Sequence, residues 1–228
     1  MNGLLRAGAN FIVVFMSIVL FMAPFYAVFR WRQRSDKQLS GNLNLSVERF
    51  FGSRQANWLV LFWAAGEATF WFVIPEFLLL LMIFMRVHRK FQLVIWDIYG
   101  TVIGTAIAFW LHLSHASLLR LPYIYPGMIA HVEKWYHHLG IWGLAYQPYS
   151  GVPYKVFTFL APEHHFFFVW FILFAVVVRI TRYFISYALL NSLYPVLHRR
   201  VYRNYLPLFV GAVLFFSIML LRISHLYS

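Results

Sequence analysis

From residue 57 to residue 85 the chain carries only two ionisable side chains, Glu67 and Glu76, and basic residues stand at both ends of this run: Arg49 and Arg54 before it, Arg86, Arg89 and Lys90 after it. A helix over these 29 residues would measure about 43 Å, whereas ~20 residues cross hydrocarbon about 30 Å thick. Basic loops mark the cytoplasmic side of a membrane, so the segment reads as entering and leaving on one side. Two half-helices meeting at Gly66-Glu67-Ala68-Thr69-Phe70-Trp71-Phe72-Val73-Ile74-Pro75-Glu76 satisfy both conditions. This predicts a re-entrant hairpin, ahead of its alternative, one tilted and kinked span.

The chain repeats this kind of interruption at Tyr149-Ser150-Gly151-Val152-Pro153-Tyr154-Lys155-Val156-Phe157-Thr158. Irregular backbone survives at membrane depth only where protein or a water-filled cavity supplies the missing hydrogen bonds. Ionisable groups there are costly and therefore candidates for function. The breaks at Gly66, Pro75, Gly151 and Pro153 thus point to a polar, charged site within the bilayer, acids at one break and a lysine at the other.

Composition supports the membrane reading. The chain is 62% hydrophobic and 11% charged, with a mean hydropathy of +0.68, where a soluble domain carries about a quarter charged residues. No barrel-like alternation is visible, so the expected fold is an all-α polytopic membrane protein. The net charge of +12 is concentrated: twelve of 19 basic residues fall in three short loops, at Arg30, Arg32, Arg34, Lys37, Arg49 and Arg54, at Arg86, Arg89 and Lys90, and at Arg199, Arg200 and Arg203. That pattern reads as topology and as attraction for anionic lipid headgroups, not as a nucleic-acid surface. Cysteine is absent, which excludes disulfides and thiolate chemistry.

The layout follows. Residues 10–29 read as a retained anchor followed by a basic loop, so that 1–56 form an N-terminal unit. Residues 57–190 form the central membrane domain: the first hairpin, a crossing at 91–113, an outer loop over 114–131, a second hairpin from 131–147 and 154–161, and a crossing at 166–190. Residues 191–228 hold a last crossing at 205–221. Gly100 and Gly104, at i, i+4, allow close helix packing. Hairpin then span, twice and in opposite orientations, is an inverted repeat, an architecture of transporters.

Glu67 and Glu76 are the leading acidic candidates, as proton carriers or partners for a cation. Arg179 and Arg182 share a helix face at i, i+3 and can grip phosphate or carboxylate bidentately. Lys155 begins a half-helix whose N-terminus favours anions. Asp97, near the start of its span, reads foremost as a dipole-matched cap. Histidines gather at the outer side: His112, His115, His131, His137, His138, His164 and His165. They read as interfacial packing ahead of a metal site, since few acidic ligands accompany them. No cofactor motif is present.

At these breaks the sequence resembles the DedA/VTT (SNARE-associated Golgi protein) superfamily, in particular its YqaA-like bacterial branch. The resemblance covers roughly residues 55 to 190. It rests on Glu67-Ala68-Thr69-Phe70 with Pro75-Glu76, on Gly100 and Gly104, on Gly151-Val152-Pro153-Tyr154-Lys155-Val156-Phe157-Thr158, and on Arg179 with Arg182. It implies two opposed re-entrant hairpins around a membrane-centred site. It also implies movement of an anionic lipid, such as undecaprenyl phosphate or phospholipid, between leaflets of a bacterial inner membrane, coupled to protons. Glu67 and Glu76 would take the place of the family's acids, and Arg179 and Arg182 of its arginines. Glu76 stands where the family commonly has Asp, and Pro162 where it often has Gly. The expected partners are anionic lipids and protons, with a homo-oligomer left open. The rival readings are a small-solute or ion transporter, a histidine-metal membrane enzyme, and a non-transporting assembly protein.

Overall fold

A computed structural model of the chain describes residues 49–70, 90–111, 113–121 and 123–203, together with 12, 16, 214–215, 218–220, 222–223 and 225–227. These residues are helical or irregular, and none of them forms a strand. Seven α-helices carry the description: α1 (Arg54–Thr69), α2 (Lys90–Leu111), α3 (His115–Leu118), α4 (Pro126–Leu139), α5 (Gln147–Ser150), α6 (Tyr154–Leu160) and α7 (Phe168–Arg203). A 3₁₀ segment, Gly140–Tyr146, links α4 to α5.

Two helices, Phe91–Leu111 and Phe168–Val196, are long and apolar enough to cross a membrane. Their outward faces expose Tyr99, Ile103, Ile107 and Trp110 on α2 and Trp170, Leu173, Val177 and Phe184 on α7. A soluble protein rarely leaves so much contiguous apolar surface uncovered.

α1 and α2 make the most extensive helix contact among the described elements, and the two glycines are its cause. A Cβ on Gly100 would collide with the carbonyl oxygen of Leu61, and one on Gly104 would lie 2.5 Å from that of Ala65 and 2.8 Å from Ala68 Cβ. The small-residue pair therefore sets the backbone separation, as its spacing predicts.

The second break also has the expected geometry. α5 ends at Gly151, whose φ of +72° is the left-handed conformation that glycine adopts without strain. Val152 follows, and Pro153, at φ −58°, is the N-cap of α6. All seven residues of α6 are buried, and the helix touches α1, α2 and α4. Tyr136 donates a hydrogen bond from its hydroxyl to the Phe157 carbonyl at 3.0 Å, and Trp135 stacks on the Phe157 ring at 6.0 Å.

Several expectations need correction. Gly66 is not a break: α1 continues through Gly66 and Glu67, the Phe70 N–H donates to the Gly66 carbonyl at 2.9 Å, and the helix ends at Thr69. Continuous i to i−4 bonding outweighs one glycine where a neighbouring helix covers the face. The outer loop over 114–131 holds α3 and the first turn and a half of α4, which starts at Pro126 because proline's fixed φ suits the first helical position. The crossing drawn at 166–190 is a 36-residue helix, about 54 Å long. It runs through the boundary drawn at 190 and through Pro195 to Arg203, so Arg199, Arg200 and Arg203 are helical instead of lying in a loop. The far half of the first hairpin, with Pro75 and Glu76, lies outside the described residues, as do nearly all of the 10–29 anchor and much of the 205–221 crossing.

Candidate functional site

Four charged side chains meet where α1, α2 and α7 converge. Glu67 lies in the last turn of α1, Asp97 is the eighth residue of α2, and Arg179 and Arg182 are one turn apart on α7. The Arg179 guanidinium donates from Nη2 to Glu67 Oε2 and from Nε to Asp97 Oδ2, the latter at 2.8 Å. All three side chains are at most 4% exposed. Tyr154 and Tyr183 flank the same guanidinium, each ring centroid 5.9 Å from its central carbon. Tyr154 in turn exchanges a hydrogen bond with the Thr105 hydroxyl at 2.9 Å.

Arg182 is held differently. Its Nη2 lies 3.6 Å from Glu67 Oε1, and its Nη1 donates to the Gln147 side-chain carbonyl at 3.3 Å. Two guanidiniums and two carboxylates make the quartet formally neutral, which favours its burial. Within that neutrality the division is unequal. Among the described residues, Arg179 has two close carboxylates, whereas Arg182 lies at longer range from one of them and donates to a neutral amide.

Beside the quartet opens a cavity of about 270 Å³. Its polar lining includes Glu67, Gln147, Arg182, Ser186 and the tyrosines 123 and 154, and the irregular stretch from Gly151 to Pro153 forms part of its wall. Met219, Leu220 and Ile223 close it from the C-terminal segment. That segment is fastened to the break: Tyr123 donates to the Leu220 carbonyl, and Tyr227 donates to the Ser150 carbonyl at 2.9 Å. Arg179 and Asp97 are not among the lining residues. The quartet therefore turns its loosely held half toward the cavity and its tightly held half toward the helices.

Lys155 sits elsewhere. It is fully buried, and its ammonium donates to the Phe70 carbonyl at 2.9 Å, just past the end of α1. The Thr158 hydroxyl lies 3.1 Å from the Ala68 carbonyl in the same turn. The last carbonyls of a helix lack intrahelical donors and carry partial negative charge. α6 thus supplies, from across the interface, donors for the end of α1. Lys155 does not line the cavity, and its geometry is that of a cap on α1.

Asp97 was undervalued by the cap reading. α2 begins at Lys90, so Asp97 lies two turns inside the helix, where a dipole-matched cap cannot be. The signal was present: Asp97, Thr101 and Thr105 recur at i, i+4, i+8 and are all nearly completely buried, a polar stripe on an otherwise apolar helix. Gln147 and Tyr154 carried no comparable signal.

Among the described residues, His115 is brought against two acidic side chains: Glu163 Oε2 lies 2.9 Å and Glu133 Oε1 3.4 Å from its Nε2. The His137-His138 pair contact each other edge to face, and His164 packs on Tyr136 and Phe166. Comparison with family models, with curated proteins and with solved structures found no match for this chain.

Proposed function

We propose that the chain is an integral membrane transporter of the DedA/VTT kind, and not an enzyme, that moves an anionic lipid between leaflets with proton exchange at Glu67. The observation that carries this reading is the cavity wall formed by the Glu67–Arg182 pair. When Glu67 takes up a proton, the Glu67–Arg182 attraction is lost, while Arg179 keeps Asp97. The quartet then gains one positive charge on the side facing the cavity. A guanidinium there can take a phosphate through paired N–H···O bonds. Release of the proton restores the Glu67 carboxylate, which competes for Arg182 and expels the phosphate. Proton movement and headgroup movement are linked through one shared arginine.

In this reading Glu76 supplies a further acid at the first break and Lys155 secures the half-helices against each other. The residues span a bacterial inner membrane, and a homo-oligomer is compatible with the exposed apolar faces.

The cavity's size also favours a second reading. Ligand sites commonly measure about 300–1,000 Å³, so a space of about 270 Å³ suits a phosphate-sized group and leaves acyl chains outside. A small-anion transporter would use the same pair in the same way.

The test is a liposome assay with purified full-length protein, following a fluorescent anionic phospholipid across the bilayer and inorganic phosphate in parallel. Arg182→Ala should abolish movement. Glu67→Gln should leave movement that no longer responds to a proton gradient. Equal lipid rates in wild type and both variants remove the pair from the mechanism, and phosphate uptake without lipid movement selects the second reading.

A further inference from the structure

At the end of the molecule where α2 finishes and α7 begins, three side chains from three separate elements converge. His115 opens α3, Glu133 lies mid-way along α4, and Glu163 sits in the turn that follows α6. His115 Nε2, one Glu133 oxygen and one Glu163 oxygen all lie within 4.8 Å of one another. The two distances from the histidine nitrogen are 2.9 and 3.4 Å. Around an ion with nitrogen and oxygen ligands at about 2.0–2.2 Å, tetrahedral donor atoms stand roughly 3.3–3.6 Å apart. The two histidine edges need shifts of only a few tenths of an ångström to meet that spacing, and the carboxylate edge, at most 4.8 Å, needs a closure of at most about 1.5 Å, within reach of partly exposed glutamate side chains.

From this geometry we infer a divalent transition-metal site, of the zinc class, formed by His115, Glu133 and Glu163. One imidazole and two carboxylates carry two negative charges when the histidine is neutral. Among the described residues, neither carboxylate has an ion-pair partner other than His115. The side chains are 40–44% exposed, so an ion can enter and water can complete the fourth position. A nitrogen ligand with so few oxygens argues against calcium, which takes six to eight oxygens, and against magnesium, which prefers octahedral oxygen and water shells. The site lies apart from the cavity and does not depend on the transport reading.

The location gives the ion a role. Glu163 follows α6 directly, and the Glu163 N–H donates to the Leu160 carbonyl at 3.1 Å. A metal joining this turn to α3 and α4 fixes the C-terminal end of the buried half-helix whose N-terminal end shapes the cavity wall.

The experiment uses the full-length chain in detergent, stripped with a chelator and titrated calorimetrically with zinc chloride, then with magnesium chloride. One equivalent of zinc should bind saturably, magnesium should not, and zinc should raise the thermal unfolding midpoint. His115→Ala should weaken zinc binding by at least about 10-fold, since loss of even an outer-shell partner lowers metal affinity by about 10–100-fold. Glu163→Gln, on an exposed turn, should do the same and serves if His115→Ala does not fold. A His137→Ala/His138→Ala double variant should bind zinc as wild type does. Absence of a saturable zinc site overturns the inference, as does binding unchanged in both His115→Ala and Glu163→Gln, or lost equally in the double variant.

Discussion

Removing the charge of Asp97 should expose how the quartet is held together. Arg179 is 4% exposed and donates hydrogen bonds to Asp97, at 2.8 Å, and to Glu67. Asp97→Ala removes one of the two carboxylates that the described residues place against a buried guanidinium and turns a formally neutral quartet into one with a net positive charge. Breaking a buried pair in this way costs about 3–5 kcal/mol. Asp97→Asn keeps an oxygen where Nε can reach it and loses only the charge, so its cost should fall near the value of a charge-assisted hydrogen bond, about 1.5–3 kcal/mol. Arg182→Gln removes contacts of 3.3 and 3.6 Å from a side chain that is 13% exposed and should cost roughly 1 kcal/mol. The double variant Asp97→Asn/Arg179→Gln restores neutrality, leaving Glu67 with Arg182, and should be less destabilised than the two single effects combined by about 0.5–3 kcal/mol. Denaturant titration in mixed micelles, read by tryptophan fluorescence, measures these four and the Arg179→Gln single variant that the comparison requires. An Asp97→Asn variant within about 0.5 kcal/mol of wild type, the range of an ordinary surface substitution, refutes the reasoning, and so does strict additivity in the double.

Two further outcomes follow from the geometry. Gly100→Ala should destabilise by about 1–3 kcal/mol or more, because the new methyl meets the backbone oxygen of Leu61, which cannot rotate away; an unfolding midpoint equal to wild type would contradict the close contact of α1 and α2. Lys155→Met should leave lipid movement per folded molecule unchanged in the liposome assay, because the ammonium caps α1 and does not face the cavity; a loss matching that of Arg182→Ala would return Lys155 to phosphate binding.

Much of this arrangement could be read from local sequence. The Gly151-Val152-Pro153 break, the α7 arginine pair and the Gly100/Gly104 contact each depend on residues within one turn or one short loop of each other, where spacing alone fixes geometry. The misreadings have longer-range causes. Asp97 looked like a cap because it stands only six residues after the start drawn for its span, and its partner lies 82 residues away on α7. The approach of His115, Glu133 and Glu163 brings together three elements joined only by tertiary packing, which spacing along the chain does not show. Lys155 carried the right signal, a buried charge at a break, but sequence could not say whether its target was a ligand or the exposed end of another helix. The C-terminal segment, read only as a last crossing, also closes the cavity, which no periodicity reveals.

A seven-residue helix with every side chain enclosed has an implication for how the protein is made. α6 is far too short to be recognised as a span by length, and two turns do not hold together alone. Its shape must be acquired late, once α1, α2 and α4 stand around it, with Lys155 and Thr158 engaging the end of α1 as the enclosure closes. A substitution that loosens α1, α2 or α4 around it therefore unsettles α6 as well, and with it the wall that Val152 and Pro153 give the cavity.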